Sequence, residues 1–249
     1  MDHGFDVKTT IELNDTLLQA AKDVAAREGT TLRGVFEAAL RAASHLPFSK
    51  IGPLLVDADA LLDELNIKKC VMVGNSFGGF LSWDQAQRHP ERVRGLVISD
   101  AVGYQQSLPI YIRLFTFKAI AWLTRYTIPA FLLRMAVRDV YGDKAKIKKE
   151  IMNRYLELFM HKPNRSAVGQ MVGVFTDGEF GSERLPQIQC KTLIVWGGDD
   201  RWVSIEMAGR FNRDIPNSEL KVYREVGHIP MEEVPERFAA DCIEFIEKL

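Results

Sequence analysis

The first stretch with a clear hydrophobic rhythm is residues 7–13, VKTTIEL, where apolar Val7, Ile11 and Leu13 interleave with polar Lys8, Thr10 and Glu12. A period of two predicts a half-buried strand. Asn14 stands where a helix cap belongs, and Leu17, Leu18, Ala21, Val24 and Ala25 recur at helical spacing up to Gly29, a natural left-handed stop. Thr30 or Thr31 caps a second helix with the stripe Leu32, Val35, Phe36, Ala39 and Leu40. One strand and two helices bury too little surface to close a core. The unit is therefore expected to seek a second copy, making the chain a homodimer through residues 5–45.

Beyond Pro47 the texture changes. A short Pro47 to Pro53 linker leads into the helical pattern VDADALLDELN. Brief apolar runs then follow at Cys70 to Val73, Leu96 to Ser99, Thr192 to Trp196 and Leu220 to Tyr223, with helical patterns between them. Such alternation predicts an α/β fold with a parallel sheet. Residues 104–185 interrupt it with a long helical insertion rich in Phe, Leu, Ile and Tyr. The expected organisation is a small strand-helix-helix unit at 1–46 and an α/β domain at 47–249. The core of that domain comes from 47–103 and 186–249, with 104–185 inserted as a helical cap.

At 249 residues and 47% hydrophobic composition the chain can bury a sizeable core. Lys and Arg (32) balance Asp and Glu (33), so no overall field draws it to nucleic acid or anionic membrane. The start, MDHGFDVKTT, lacks the basic and apolar regions of a secretory signal, and a cytoplasmic location is expected. Cys70, Cys190 and Cys242 form no CxxC or metal-ligand spacing and are read as reduced thiols in the core. The greasiest stretch, Leu108 to Val137, is interrupted by Arg113, Lys118, Arg125, Pro129 and Arg134, too many breaks for a membrane span.

The chemistry concentrates where strands end. Gly74, Asn75, Ser76, Phe77 and Gly78 lie between an apolar strand and a helix, the setting of a nucleophile elbow. There the serine sits on a sharp, strained turn, which calls for small residues two positions before and after it. The amide of Phe77, at the helix N-terminus, faces a developing oxyanion. A serine needs a histidine to take its proton, and the histidine needs a carboxylate to hold its tautomer. Asp199 and Asp200 follow the strand TLIVW, Asp100 follows the preceding strand, and His228 follows LKVYREV, all at the sheet edge where ligands bind.

Through GNSFGG, HPERVRGLVISDAVG, TLIVWGGDDRWVS and VGHIPMEEVPERFAADCIEFI, residues 47–249 resemble the α/β-hydrolase superfamily. The resemblance implies a triad of Ser76, Asp200 and His228, selecting Asp200 over Asp199, which is left to serve the loop's own backbone, with Asp100 as a weaker alternative acid. It implies no metal and no cofactor, with Phe115, Trp122 and Phe131 of the cap shaping an apolar pocket for a small-molecule substrate. Serine as nucleophile points to ester, thioester, amide or carbon–carbon bond hydrolysis, and Asn75 before it resembles carbon–carbon hydrolases of aromatic breakdown. The segment KTTIELNDTLLQAAKDVAAREGTTLRGVFEAALRAA resembles the ribbon-helix-helix domain of antitoxins. That second resemblance implies DNA contact through Lys8, Thr10 and Glu12, although a glutamate on the reading face opposes strong affinity. Two readings follow: a serine hydrolase, or an antitoxin-like DNA-binding regulator with a catalytically weak hydrolase remnant. The four strands that usually precede the elbow are not recognisable here. The edge of the elbow strand, at Val71 and Val73, is therefore expected to lack a partner.

Overall fold

A computed structural model describes residues 26, 62–106, 109–113, 128–160 and 180–249. The chain divides into two compact units, residues 1–46 with 56–68 and residues 47–55 with 69–249. In the first unit, the described residues include a helical turn at 62–64, after which the Ile67 amide donates to the Leu62 carbonyl. The strand expected at 7–13, both helices of the strand-helix-helix reading (Ala26 apart) and the Pro47 to Pro53 linker lie outside the described residues.

The second unit is built on four strands, β1 (Cys70–Asn75), β2 (Val93–Ser99), β3 (Lys191–Gly197) and β4 (Ser218–Tyr223). All pair in parallel, in the order β1-β2-β3-β4. The elements between and after them are α1 (Phe77–Arg88), α2 (Ile110–Arg113), α3 (Ala130–Val140), α4 (Lys149–Met160), α5 (Ile205–Asp214), α6 (Pro230–Glu233) and α7 (Pro235–Glu247). Two short 3-10 turns, Lys144–Lys146 and Ser182–Gln187, complete the set among the described residues.

The central strands are apolar on both faces because both are covered. On one face Leu96, Ile98, Ile194 and Trp196 pack with Phe80 and Trp83 of α1 and with Ala208 and Phe211 of α5. On the other, Val97, Leu193, Val195 and Tyr223 pack with Cys242 and Phe245 of α7. Trp83 and Trp196 are wholly buried, and each indole N–H is satisfied by a carbonyl, of Val102 at 2.9 Å and of Val203 at 3.1 Å. Their large apolar surface can therefore be buried without an orphaned donor.

Among the described residues β1 pairs only with β2 and forms one edge of the sheet. Val71 packs against the α7-side cluster, whereas Val73 is 51% exposed, in keeping with the uncovered strand that the sequence led us to expect. The thiols also separate: Cys242 is buried in the α7-side cluster and half-buried Cys190 packs against the opposite one, whereas half-buried Cys70 belongs to neither, so core packing describes two of the three. Among the described residues no helix is long and apolar enough to cross a membrane.

Candidate active site

Ser76 joins β1 to α1 with φ 55° and ψ −118°, a backbone that a residue with a Cβ rarely adopts. The surrounding chain holds it there. Its amide donates to the Ser99 carbonyl at 2.9 Å, and its carbonyl accepts from the Phe80 and Val102 amides, each at 3.1 Å. The turn is tight because α1 starts almost on top of β1. A Cβ on Gly74 would lie 2.2 Å from the Gly78 carbonyl oxygen, and one on Gly79 would lie 2.6 Å from the Ala101 Cβ.

A Cβ on Gly78, in contrast, meets nothing within 4 Å. The expectation of a small residue on each side of the serine therefore holds for Gly74 and moves from Gly78 to Gly79. Gly78→Ala is expected to leave the melting temperature unchanged or raise it slightly, since alanine in a first helical turn gains up to about 1 kcal/mol over glycine. Gly74→Ala is expected to lose about 2–4 kcal/mol, because the clash is with backbone. Paired thermal melts check this, and equal losses would contradict it.

His228 lies in the loop between β4 and α6. Its Nδ1 is 2.8 Å from Asp200 Oδ2, and both side chains are almost fully buried. The other oxygen of Asp200 accepts from the Trp202 amide at 2.7 Å and the Val203 amide at 3.0 Å. The carboxylate that serves the loop's backbone is thus Asp200 and not, as expected, Asp199, which is exposed and whose amide donates to the Val226 carbonyl. Trp202 stacks on the imidazole at 5.6 Å between ring centroids.

Asn75, one residue before Ser76, donates from Nδ2 to the carbonyls of His228 at 2.9 Å and Ser99 at 3.2 Å. This fastens the histidine loop to the elbow. Asp100, Asp200 and His228 bring potential cation-ligating atoms within 4.8 Å of one another. Each of the four carboxylate oxygens already has a donor from the protein, so the group is arranged as a hydrogen-bonded network.

Sequence reasoning missed Glu233. Its carboxylate is buried and accepts three backbone amides: Gly227 at 2.9 Å, Gly142 at 3.0 Å and Asp143 at 2.8 Å. The His228 amide also donates to the Val140 carbonyl at 2.8 Å. The loop carrying the histidine is therefore stapled to the chain that follows α3. Beside it, Glu232 accepts from Tyr141 at 3.0 Å, Tyr155 at 2.9 Å and Arg154 at 2.7 Å. Burial first, and then the Glu232 charge, push both tyrosine hydroxyls up. The doubled glutamate before Val234 and Pro235 was the local signal available, and nothing in it points to partners some 90 residues away.

Of the other expected site residues, Phe77 opens α1 with its ring 5.5 Å from that of Phe80. Phe131 projects from α3 and is 66% exposed. Phe115 and Trp122 lie outside the described residues, as do Lys8, Thr10 and Glu12.

Comparison with known proteins agrees with this architecture. The alpha/beta hydrolase family profile matches residues 19–241. The match begins inside the segment that resembles a ribbon-helix-helix domain, a resemblance these comparisons do not support. A 2-hydroxymuconate semialdehyde hydrolase of Pseudomonas putida is 32% identical over 189 residues, covering 73% of this chain and 64% of that protein. An uncharacterized hydrolase, YugF of Bacillus subtilis, is 29% identical over 193 residues, covering 75% and 68%. The chain thus spans about two thirds of the length of these relatives.

Among solved structures, 2-hydroxy-6-oxo-6-phenylhexa-2,4-dienoate hydrolase from Rhodococcus sp. strain RHA1 superposes with a TM-score of 0.68 at 20% identity, over 79% of this chain and 70% of that one. A thermophilic esterase from Thermogutta terrifontis gives 0.67 at 23% identity, over 79% and 71%. Likeness at these identities establishes the fold. With the family profile covering most of its length, the chain belongs to the alpha/beta hydrolase family.

Proposed function

We propose that the chain is a metal-independent serine hydrolase acting on a small apolar ester, or on the carbon–carbon bond of a related acyl compound, with Ser76 as nucleophile. The observation that carries this reading is the buried His228 to Asp200 contact of 2.8 Å, tied through Asn75 to a serine held in left-handed backbone. Asp200 keeps the imidazole proton on Nδ1, leaving Nε2 to take the Ser76 hydroxyl proton as its oxygen attacks the substrate carbonyl. The negative charge that develops on that carbonyl oxygen is met by the Phe77 amide, at the positive end of α1. His228 then returns the proton to the leaving group, and water repeats the sequence to release the acid.

The region between β2 and β3 is proposed as the cap over this site. Supporting that, Val137, Val140 and Tyr141 cluster with Ile229, the residue after the base. The apolar substrate class rests on this clustering and on the aromatic residues Phe115 and Trp122. The carbon–carbon alternative is supported by relatives named 2-hydroxymuconate semialdehyde hydrolase and 2-hydroxy-6-oxononadienedioate hydrolase, and by likeness to a solved meta-cleavage product hydrolase.

The test is labelling by a fluorophosphonate, alongside turnover of short-chain p-nitrophenyl esters and of a catechol ring-fission product. Labelling is expected at Ser76, retained largely in Asp199→Asn and sharply slowed in Asp200→Asn. Equal loss in the two aspartate variants would remove Asp200 as the orienting acid, and undiminished turnover by Ser76→Ala would overturn the reading. The two substrates separate the ester and carbon–carbon arms.

A further inference from the structure

Asp100 is a buried carboxyl that the mechanism above does not use. It directly follows β2 with φ 46°, left-handed backbone in a residue with a side chain. None of its surface is exposed. Its Oδ1 accepts the Gly197 amide at 2.8 Å, at the point where β3 passes into the loop that carries Asp200. Its Oδ2 accepts the Ser99 hydroxyl at 2.7 Å, and its own amide donates to the Val195 carbonyl at 3.1 Å.

The titratable groups facing it are Asp200, from the loop after β3, and His228, from the loop after β4, all within 4.8 Å. Two carboxylates this close in a dry site do not both ionise. Asp200 has three N–H donors, from Trp202, Val203 and His228, whereas Asp100 has one amide and one hydroxyl. The proton of the pair therefore resides on Asp100. Burial, and next the Asp200 charge, push the Asp100 carboxyl well up.

Resting on the serine-hydrolase reading, we propose that Asp100 is a positioning residue for Asp200 and a standby counter-ion for His228. In the intact protein it holds the acid loop through Gly197 and shares its proton with Asp200. When Asp200 is replaced by alanine, the like charge that adds to burial in keeping Asp100 neutral goes with it, and the space left by the carboxylate admits water that offsets the burial. Asp100 then releases its proton to solvent and faces the imidazolium as a carboxylate, directly or through one water.

Four variants test this with a p-nitrophenyl ester. Asp100→Asn keeps both an acceptor for Gly197 and a donor towards Asp200, so kcat is expected to stay within about threefold of the unmodified protein. Asp100→Ala loses both roles and is expected to lower kcat about tenfold at unchanged KM, the worth of one hydrogen bond to a charged group. Asp200→Ala is expected to retain residual turnover about tenfold above that of Asp200→Ala with Asp100→Asn, with a limb rising towards alkaline pH that the double variant lacks. Asp100→Ser in the Asp200→Ala background gives the same comparison should the asparagine double variant not fold. Equal residual rates with superimposable pH profiles would overturn the proposal. Ser76→Ala is assayed beside them: its loss of turnover keeps the hydrolase reading separate from failure of the Asp100 inference, and its retention of turnover would overturn both.

Discussion

His228→Ala is expected to lower turnover by about 10^5- to 10^6-fold, an effect matched only by loss of Ser76. The loss is chemical, because the loop's anchors are backbone groups that alanine retains. The His228 amide still donates to Val140, its carbonyl still accepts from Asn75, and Gly227 is still held by Glu233. What disappears is the proton acceptor, without which a serine hydroxyl is inert near neutral pH. The buried Asp200 Oδ2 also loses its partner, so a destabilisation of about 1–3 kcal/mol should accompany the rate loss. Pre-steady-state ester hydrolysis and a thermal melt on one preparation measure both. A rate within a hundredfold of the unmodified protein would mean that another group takes the proton.

The largest effect on stability is expected at Gly197. A Cβ there would lie 1.9 Å from the Gly227 carbonyl oxygen and 2.6 Å from that of Val226, both backbone atoms with no rotamer to retreat into. Gly197→Ala must drive the acid loop away from the histidine loop, and about 3–5 kcal/mol is expected to be lost. Because Asp200 and His228 sit on those two loops, activity should fall further than the folded fraction does. Two neighbouring glycines serve as controls. Gly198→Ala meets nothing nearer than 3.3 Å, and Gly209→Ala, in α5, meets nothing within 4 Å, so both should melt close to the unmodified protein. Denaturant unfolding of the three variants decides, and a Gly197→Ala protein as stable as Gly209→Ala would show that the loops yield easily.

All four strands were legible as apolar runs, and the structure extends each by one to three residues at its ends. The extensions, such as Val93, Lys191 and Ser218, include polar or isolated residues recruited by pairing, which local hydrophobicity does not report. Ser76, Asp200 and His228, the triad proposed here, stood out in the sequence because each follows a strand with a glycine at or within four residues of its end. Glu233 could not be assigned a role, and Asp100 was legible only as a weaker alternative acid, since their contacts with Gly142 and Gly197 span 91 and 97 residues. The shift of steric demand from Gly78 to Gly79 escaped notice for a similar reason. It depends on Ala101, after the next strand.

The order of the sheet also orders assembly in time. Among the described strands, β2, β3 and β4 each pair with the one before, so a growing polypeptide can add them one by one as they emerge. Only the junction of β2 with β3 must wait, for residues 100–190 to pass. Closing that long loop is entropically about 1 kcal/mol dearer than closing a 20-residue crossover. The elbow and β2 can therefore form while the acid and the base do not yet exist, and the base arrives last, behind β4. On the proposed mechanism, a nascent chain of this kind carries Ser76 as an unreactive alcohol while the roughly 150 residues up to His228 are still being added, and it becomes able to attack an acyl group only once that loop has docked.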